Sequence, residues 1–357
     1  MSGNYFIVDK RPDQEKCLVY FNVATRPDQE KCQVYFNVDK RPDQEKCQVI
    51  HIAHVCTGSN AAYDVITVMK SVLFYRRNPI HFHVISDNAS YNILHQQFAT
   101  WKKGNLTEVS VSFYPADKAK SYVSWIPNKH HSGVNGLMKL SLTEILPQEL
   151  NKVIFLDTDV ICFADIAGLW KLFKHMKESM VLGLSENLSG WYLGQIYENE
   201  TWPAVDKGYN TGVMLLNLKE LRSINWMNIW KIVTEKQLVN YTFTQLGDQD
   251  VINAVIKENQ SLLYRIPCHW NVQLKQRSIE CPGELTSYKI VHWNSRSKYT
   301  GSSKTADFFL SLREIFLRYN MILIMKKTVL CNRTRTHQIQ HTQRIQRIQR
   351  THNEFKN

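Results

Sequence analysis

The stretch Lys152-Val153-Ile154-Phe155-Leu156-Asp157-Thr158-Asp159 constrains this chain more than any other. Its apolar run is continuous rather than alternating, the pattern of a strand buried on both faces of a largely parallel sheet, and it stops abruptly at two carboxylates. Ligands of open α/β sheets bind at that carboxyl edge. Residues two apart on an extended backbone point the same way, so Asp157 and Asp159 can both face one hard cation while Thr158 turns aside. Such a pair suits Mg²⁺ or Mn²⁺ carrying a diphosphate. Two Asp at this spacing arise by chance about once in a chain of this length, so the position at the end of a buried strand gives the pair its weight.

The preceding segments build a sheet around that strand. Residues 48–56 read as a strand, Thr57-Gly58-Ser59-Asn60 as a tight turn, and Val65, Ile66, Val68, Met69, Val72 and Leu73 fall at helical spacing before Arg76-Arg77-Asn78-Pro79 closes the helix. A strand over 80–85, Asp87 as a helix cap, a helix near 91–101 and a strand over 109–114 follow. The order β-α-β-α-β predicts right-handed crossovers, a parallel sheet and an α/β fold. A polar loop over 125–133 leads into an amphipathic helix over 136–146 that carries Lys139 among Leu137, Met138 and Leu140. A helical Lys is usually a solvated face residue.

Beyond Asp159 the pattern predicts a helix over 165–176 and a short strand over 180–184. Gly208-Tyr209-Asn210-Thr211-Gly212 then enters an apolar strand over 213–218. A glycine-rich entry lets backbone approach a ligand closely, although a simple turn is the commoner cause. A long helix over 220–237 precedes Gly247-Asp248-Gln249-Asp250, whose acids are placed to cap a helix over 251–258. The last strand, 287–293, carries His292 into Trp293-Asn294-Ser295, with Lys298 beyond; a lone His at a strand end is more often structural than a ligand.

Composition limits the partners. The chain has 357 residues, 43% of them hydrophobic, enough for one large domain or two modest ones. Of the formal net charge of +12, residues 326–357 supply eight Lys or Arg against one acid. That tail has no aromatic residue between Leu330 and Asn353 to stack bases, so nucleic acid is not the expected partner. No Gly-x-Gly-x-x-Gly follows the first strand, which argues against a dehydrogenase. No apolar run approaches the roughly 18 residues of a membrane span, and Met1 to Lys16 lacks the order of a signal peptide; no anchor or export signal is expected. Residues 1–46 are dominated by 15-residue repeats built on Arg-Pro-Asp-Gln-Glu-Lys-Cys, a duplicated leader rather than stacked structural units. Of eight cysteines, Cys17, Cys32 and Cys47 belong to the repeat; Cys56, Cys162, Cys268, Cys281 and Cys331 have no metal-ligand spacing and leave buried thiols or one or two bridges as the alternatives. Sequons at Asn88, Asn105, Asn187, Asn199, Asn240, Asn259 and Asn332 lean towards a lumenal protein.

Taken together, the order of Val49-Ile50-His51-Ile52-Ala53, Lys70-Ser71-Val72-Leu73-Phe74, Arg77-Asn78-Pro79, Val123-Ser124-Trp125-Ile126-Pro127-Asn128-Lys129-His130, Gly208-Tyr209-Asn210-Thr211-Gly212-Val213, Asp248-Gln249-Asp250 and Ile290-Val291-His292-Trp293-Asn294-Ser295 resembles the nucleotide-sugar transferases of glycosyltransferase family 8. Within that family it resembles most the first catalytic domain of the LARGE-type xylosyl- and glucuronyltransferases. The resemblance spans about residues 47–320, leaving 321–357 as a basic low-complexity tail. It implies a GT-A type, Rossmann-like α/β domain with a mostly parallel central sheet. It also implies Asp157, Asp159 and His292 as ligands of Mn²⁺, with Mg²⁺ as the alternative, bridging the phosphates of a UDP-sugar. Cys56, Thr57, Gly58 and Asn60 would line the uridine pocket, largely through backbone, with Asn294 and Ser295 also on the donor side. Lys139 and Lys298 would neutralise diphosphate charge, and Asn210, Asp248 and Gln249 would meet the donor sugar. The implied reaction retains anomeric configuration, uses a glycan or glycoprotein acceptor and runs in the Golgi lumen. The alternative is an inactive nucleotide-sugar-binding or scaffolding relative.

Overall fold

A computed structural model describes residues 48–104, 106, 108–194, 201–274, 281–294 and 304–318. The repeated leader, the basic tail, Ser295 and Lys298 lie outside the described residues. The first half follows the expected pattern: β1 (Ile50–Cys56), α1 (Ser59–Tyr75), β2 (Ile80–Ser86), α2 (Asn88–Lys103) and β3 (Val109–Pro115), with all three strands parallel. Val65, Ile66, Val68, Met69, Val72 and Leu73 form the buried face of α1. Asp87 caps α2 by accepting the Ser90 N–H at 2.9 Å.

The chain continues through α3 (Ala116–Val123), α4 (Val134–Leu137), α5 (Leu142–Ile145), β4 (Val153–Leu156), β5 (Val160–Cys162) and α6 (Ala167–Trp170). Then come β6 (Leu182–Glu186), β7 (Tyr209–Leu216), α7 (Leu218–Ser223), α8 (Trp226–Leu238), α9 (Asp248–Glu258) and β8 (Leu263–Arg265). The described part closes with β9 (Val272–Gln273), β10 (Ile290–His292) and α10 (Lys304–Arg318). Seven strands form one sheet in the order β3-β2-β1-β4-β7-β6-β8, and β5-β10-β9 form a second. β4 is apolar and fully buried, with a hydrophobic cluster on each side of the sheet.

The sheet is mostly parallel, as expected, with β7 antiparallel to both β4 and β6. No α-helix among the described residues separates β6 from β7, and an antiparallel pair needs no crossover. Three expected helices need correction. The helix expected over 136–146 is three pieces, with a tight 3₁₀ turn at Met138–Ser141 between α4 and α5. Its hydrophobic spacing looks helical, but the chain must turn Lys139 inward, and the Ser141 hydroxyl donates to Met138 O at 2.9 Å. The helix expected over 220–237 breaks into α7 and α8 at Asn225, which takes φ 56°, a left-handed conformation that Asn tolerates better than most residues. The helix over 165–176 shortens to α6 and a 3₁₀ turn, Lys171–His175.

α10 seals one face, with Phe309, Leu312 and Phe316 buried against the core. The Arg313 guanidinium meets Asp64 on α1 at 2.5 Å, and Lys70 Nζ donates to Phe316 O at 3.0 Å. Cys268 and Cys281 form a disulfide, while Cys56 and Cys162 are buried thiols. Asn88, Asn240 and Asn259 are exposed, Asn187 is buried, and the other three sequon asparagines lie outside the described residues. No helix among the described residues is long and apolar enough to cross a membrane.

His54 on β1 is fully buried, and its Nδ1 lies 2.8 Å from Leu156 O on β4. Burial pushes its imidazole down to about 4, against smaller opposing effects of the Leu156 carbonyl and the Asp157 carboxylate. A depressed folded pKa means that the neutral ring's contribution is complete above the unfolded value near 6.5 and is lost as pH falls towards 4. Urea unfolding between pH 7.5 and 4 should therefore show stability falling by up to roughly 3 kcal/mol from this group. His54→Gln should flatten that dependence, and identical slopes in the two proteins would remove His54 from the account.

Candidate active site

β4 delivers Asp157 and Thr158 to its carboxyl edge, and β5 resumes at Val160, so Asp159 sits in the joint between the two sheets. The Asp157 N–H donates to Gly212 O on β7 at 2.8 Å, and the Trp293 N–H donates to Asp159 O at 3.0 Å. Register on β5 sets His292 opposite Val160. These ties bring His292 Nε2 to 3.3 Å from Asp159 Oδ1 and 4.0 Å from Asp157 Oδ2. Asp157, Asp159 and His292 thus offer one ligand atom each, all within 4.8 Å of one another. Thr158, expected to turn aside, also borders the cleft.

A chain of carboxamides orients the imidazole. His292 Nδ1 lies 3.0 Å from Asn271 Oδ1, Asn271 Nδ2 donates to Asn210 Oδ1 at 2.7 Å, and Asn210 Nδ2 donates to Gln249 Oε1 at 3.1 Å. A carboxamide oxygen only accepts, so Nδ1 carries the proton and Nε2 presents its lone pair to the carboxylates. That is the tautomer a metal ligand requires. Asn271 carried no signal in the sequence, because an Asn between Trp270 and Val272 matches no motif.

Close packing holds the ring from its other side. A Cβ on Gly212 would fall on the imidazole, 2.6 Å from Nδ1, so only glycine fits under it. The Gly212 N–H also donates to Asn210 Oδ1 at 3.0 Å.

Lys139 is not on a solvated face. It is buried, with Nζ at 2.9 Å from Asp157 Oδ1, 3.2 Å from Asp248 Oδ2 and 3.3 Å from Thr211 O. Burial by itself lowers an ammonium, but the carboxylates of Asp157 and Asp248 outweigh it and hold Lys139 above its ordinary value. Asp248 is raised by burial, in opposition to Lys139. The caps expected of the two acids are also corrected. Gly247, at φ 64°, is the residue before α9, Asp248 faces Lys139, and Asp250 braces the preceding loop by accepting the Gln245 and Leu246 N–H groups at 2.7 Å each. The Tyr192 hydroxyl donates to Asp250 Oδ1 at 2.8 Å, and burial pushes that carboxyl up to about 6 despite these donors.

Three carboxylates (Asp157, Asp159 and Asp248) against one ammonium leave two negative charges in the cluster. One divalent cation balances them, and two carboxylates with one imidazole suit Mn²⁺ or Mg²⁺ with sites left for phosphate oxygens. The residues present therefore fit such an ion. The cleft is also bordered by Thr57, His130, Ser132, Asn187, Ser189 and Asn294. Asn294 Oδ1 is buried without a hydrogen-bond partner. Gly58, at φ 83°, donates its N–H to Asp87 Oδ2 at 2.9 Å, and Asn60 is exposed on the first turn of α1. The Cys56 thiol points into the core, pushed up to about 12 by burial, and its carbonyl accepts the Ser90 hydroxyl at 2.7 Å.

This sheet order, with a carboxylate pair at the edge of β4, is the GT-A fold of nucleotide-sugar transferases. The structure of mouse xyloside xylosyltransferase 1 in its apo form superposes with a TM-score of 0.57 at 20% identity, covering 70% of this chain and 99% of that one. The galactosyltransferase LgtC in complex with donor and acceptor sugar analogs gives 0.56 at 19% identity, covering 75% and 95%. The family model for glycosyl transferase family 8 matches residues 20–299, and the chain belongs to that family. Xylosyl- and glucuronyltransferase LARGE1 of Homo sapiens is 49% identical over 285 residues, 79% of this chain and 37% of the relative. LARGE1 of Danio rerio is 47% identical over 298 residues, 83% of this chain and 39% of the relative. The chain thus spans under two fifths of the length of these curated relatives.

Asn271→Ala should weaken Mn²⁺ binding roughly 10- to 100-fold, because the His292 proton loses its acceptor. Gly212→Ala should do at least as much by displacing the ring. Mn²⁺ titration followed by electron paramagnetic resonance checks both; unchanged affinity in the two variants would dissociate the amide chain from the metal.

Proposed function

We propose that this domain is a retaining, Mn²⁺-dependent glycosyltransferase that moves xylose from UDP-xylose onto a glycan acceptor such as the matriglycan-type O-mannosyl glycan of dystroglycan. The observation that carries the reading is the Asp157, Asp159 and His292 cluster, two negative charges in excess, at the carboxyl edge of β4. The choice of xylose rests on the xylosyl- and glucuronyltransferases that the chain resembles at 47–49% identity. Mg²⁺ is the alternative ion. When bound, the cation supplies Lewis-acid stabilisation of the diphosphate leaving group.

The chain's own groups divide the remaining work. Thr57 and the backbone of Cys56, Gly58 and Asn60 take the uridine end. Asn294, Ser295 and Lys298 serve the diphosphate. Lys139 holds Asp157 and Asp248 and places a fixed positive charge beneath the bond that breaks, where it acts most strongly as charge develops. Asn210, Gln249 and Asp248 orient the donor sugar. No carboxylate is poised as a nucleophile among them: Asp248 is paired with Lys139, and Asn210 and Gln249 hydrogen-bond to each other. In the course that the family resemblance implies, retention is front-face, the departing phosphate oxygen taking the proton of the acceptor hydroxyl.

Residues 47–320 form the catalytic unit in this reading, with the leader 1–46 and tail 321–357 outside it. The disulfide and the exposed sequons fit a lumenal, Golgi setting. Hydrolysis of a panel of UDP-sugars with and without Mn²⁺ tests the activity and the donor, and no turnover of any donor would favour a binding relative. Asp157→Asn, Asp159→Asn and His292→Ala should each lower transfer by at least ~100-fold with the fold intact by circular dichroism. Lys139→Met should depress turnover more than donor binding.

One donor cleft rejects a second sugar that cannot fill its hydrogen bonds. The purified 357-residue chain should therefore add a single sugar to a primed acceptor when UDP-xylose and UDP-glucuronic acid are supplied together. A mass ladder of alternating additions would contradict that.

A further inference from the structure

β1 and β2 carry three histidines on one face of the sheet, at the end away from the cleft. Register pairs His51 with His81, and His83, two residues further, projects to the same face. From His51 to Cys56, where β1 reaches the cleft, the strand runs about 16 Å at its ordinary rise. Most other inward positions of these strands are apolar, as Ile50, Ile52, Phe82, Val84 and Ile85 show, with His54 and Ser86 the buried polar exceptions.

One ring nitrogen of each histidine lies within 4.8 Å of the others, and His51 Nδ1 is 2.9 Å from His83 Nε2. The outer nitrogens are engaged from β3: His83 Nδ1 lies 2.9 Å from the Tyr114 hydroxyl, and His81 Nε2 lies 2.9 Å from Ser112 Oγ. Both hydroxyls can accept from an imidazole N–H, and in that tautomer the remaining lone pairs of His81 and His83 face inward, the support that metal-ligating histidines ordinarily have. Burial also lowers all three rings, His51 to about 4 and His83 to about 3, so they are neutral and available as ligands at physiological pH. Among the described residues no carboxylate belongs to this cluster.

We propose that His51, His81 and His83 form a second metal site, for an ion of the Zn²⁺ class, with a fourth position open to water or an external ligand. Three imidazoles favour Zn²⁺ over Mn²⁺ or Mg²⁺, whereas two carboxylates and one imidazole favour the harder ions. The two ends of β1 thereby sort ions by ligand softness, and a bound ion would fasten β1 to β2.

Calorimetric titration of the full chain with Zn²⁺ alone tests the site. Asp159→Asn should retain one Zn²⁺ equivalent, and His51→Gln and His81→Gln should lose roughly tenfold or more of its affinity. Unchanged Zn²⁺ affinity in both histidine variants overturns the proposal. Should either variant misfold, X-ray absorption of the unaltered chain loaded with one equivalent of Zn²⁺ decides instead: three imidazoles in the first shell support the site, and one imidazole with carboxylate oxygens overturns it.

Discussion

The site depends on one buried ammonium. Taking Lys139 out of water costs several kcal/mol, and only close carboxylates offset such a cost. Asp157 and Asp248 supply them, from the end of β4 and the start of α9. The ion pair therefore ties three separate pieces of chain at the point where donor chemistry would occur. It also breaks the helix that the hydrophobic spacing predicts, because a regular helix over 136–146 is not the path the chain takes to bring Nζ there. Removing either partner would leave an uncompensated charge inside the protein, so stability and chemistry are coupled at this position.

The second constraint is geometric. Asp157 belongs to the large sheet through Gly212, and Asp159 belongs to the small sheet through Trp293. The two carboxylates converge because one strand passes from one sheet to the other between them. His292 joins by register with β5, and its ring lies on Gly212, a residue that in turn receives Asp157. A metal held by these three side chains would read the relative placement of both sheets.

Much of this was legible in the sequence. The unbroken apolar run before Asp157, the helical spacing in α1 and the alternation of strands and helices before residue 115 depend on local periodicity, and they define the parallel half of the sheet. The reversal of β7 was not legible, since strand direction depends on how distant segments meet. His292 stood out only through resemblance to a family, because a single imidazole at a strand end has no local signature. Asn271 had no signal at all: its role exists only where β9 lies beside β10. Asp248 and Lys139 read as a cap and a surface residue because their partnership spans more than a hundred positions. Ser295 and Lys298 remain sequence expectations, outside the described residues.

The central claim is that Asp157, Asp159 and His292 together hold the cation that carries the donor diphosphate. Anomalous diffraction at the manganese edge from crystals grown with UDP and Mn²⁺ tests it most directly. The account predicts one peak within about 2.3 Å of an oxygen from each carboxylate and of His292 Nε2, with UDP phosphate oxygens completing the shell. UDP bound in the cleft with no peak among these three residues, or a peak held by other side chains, would contradict it.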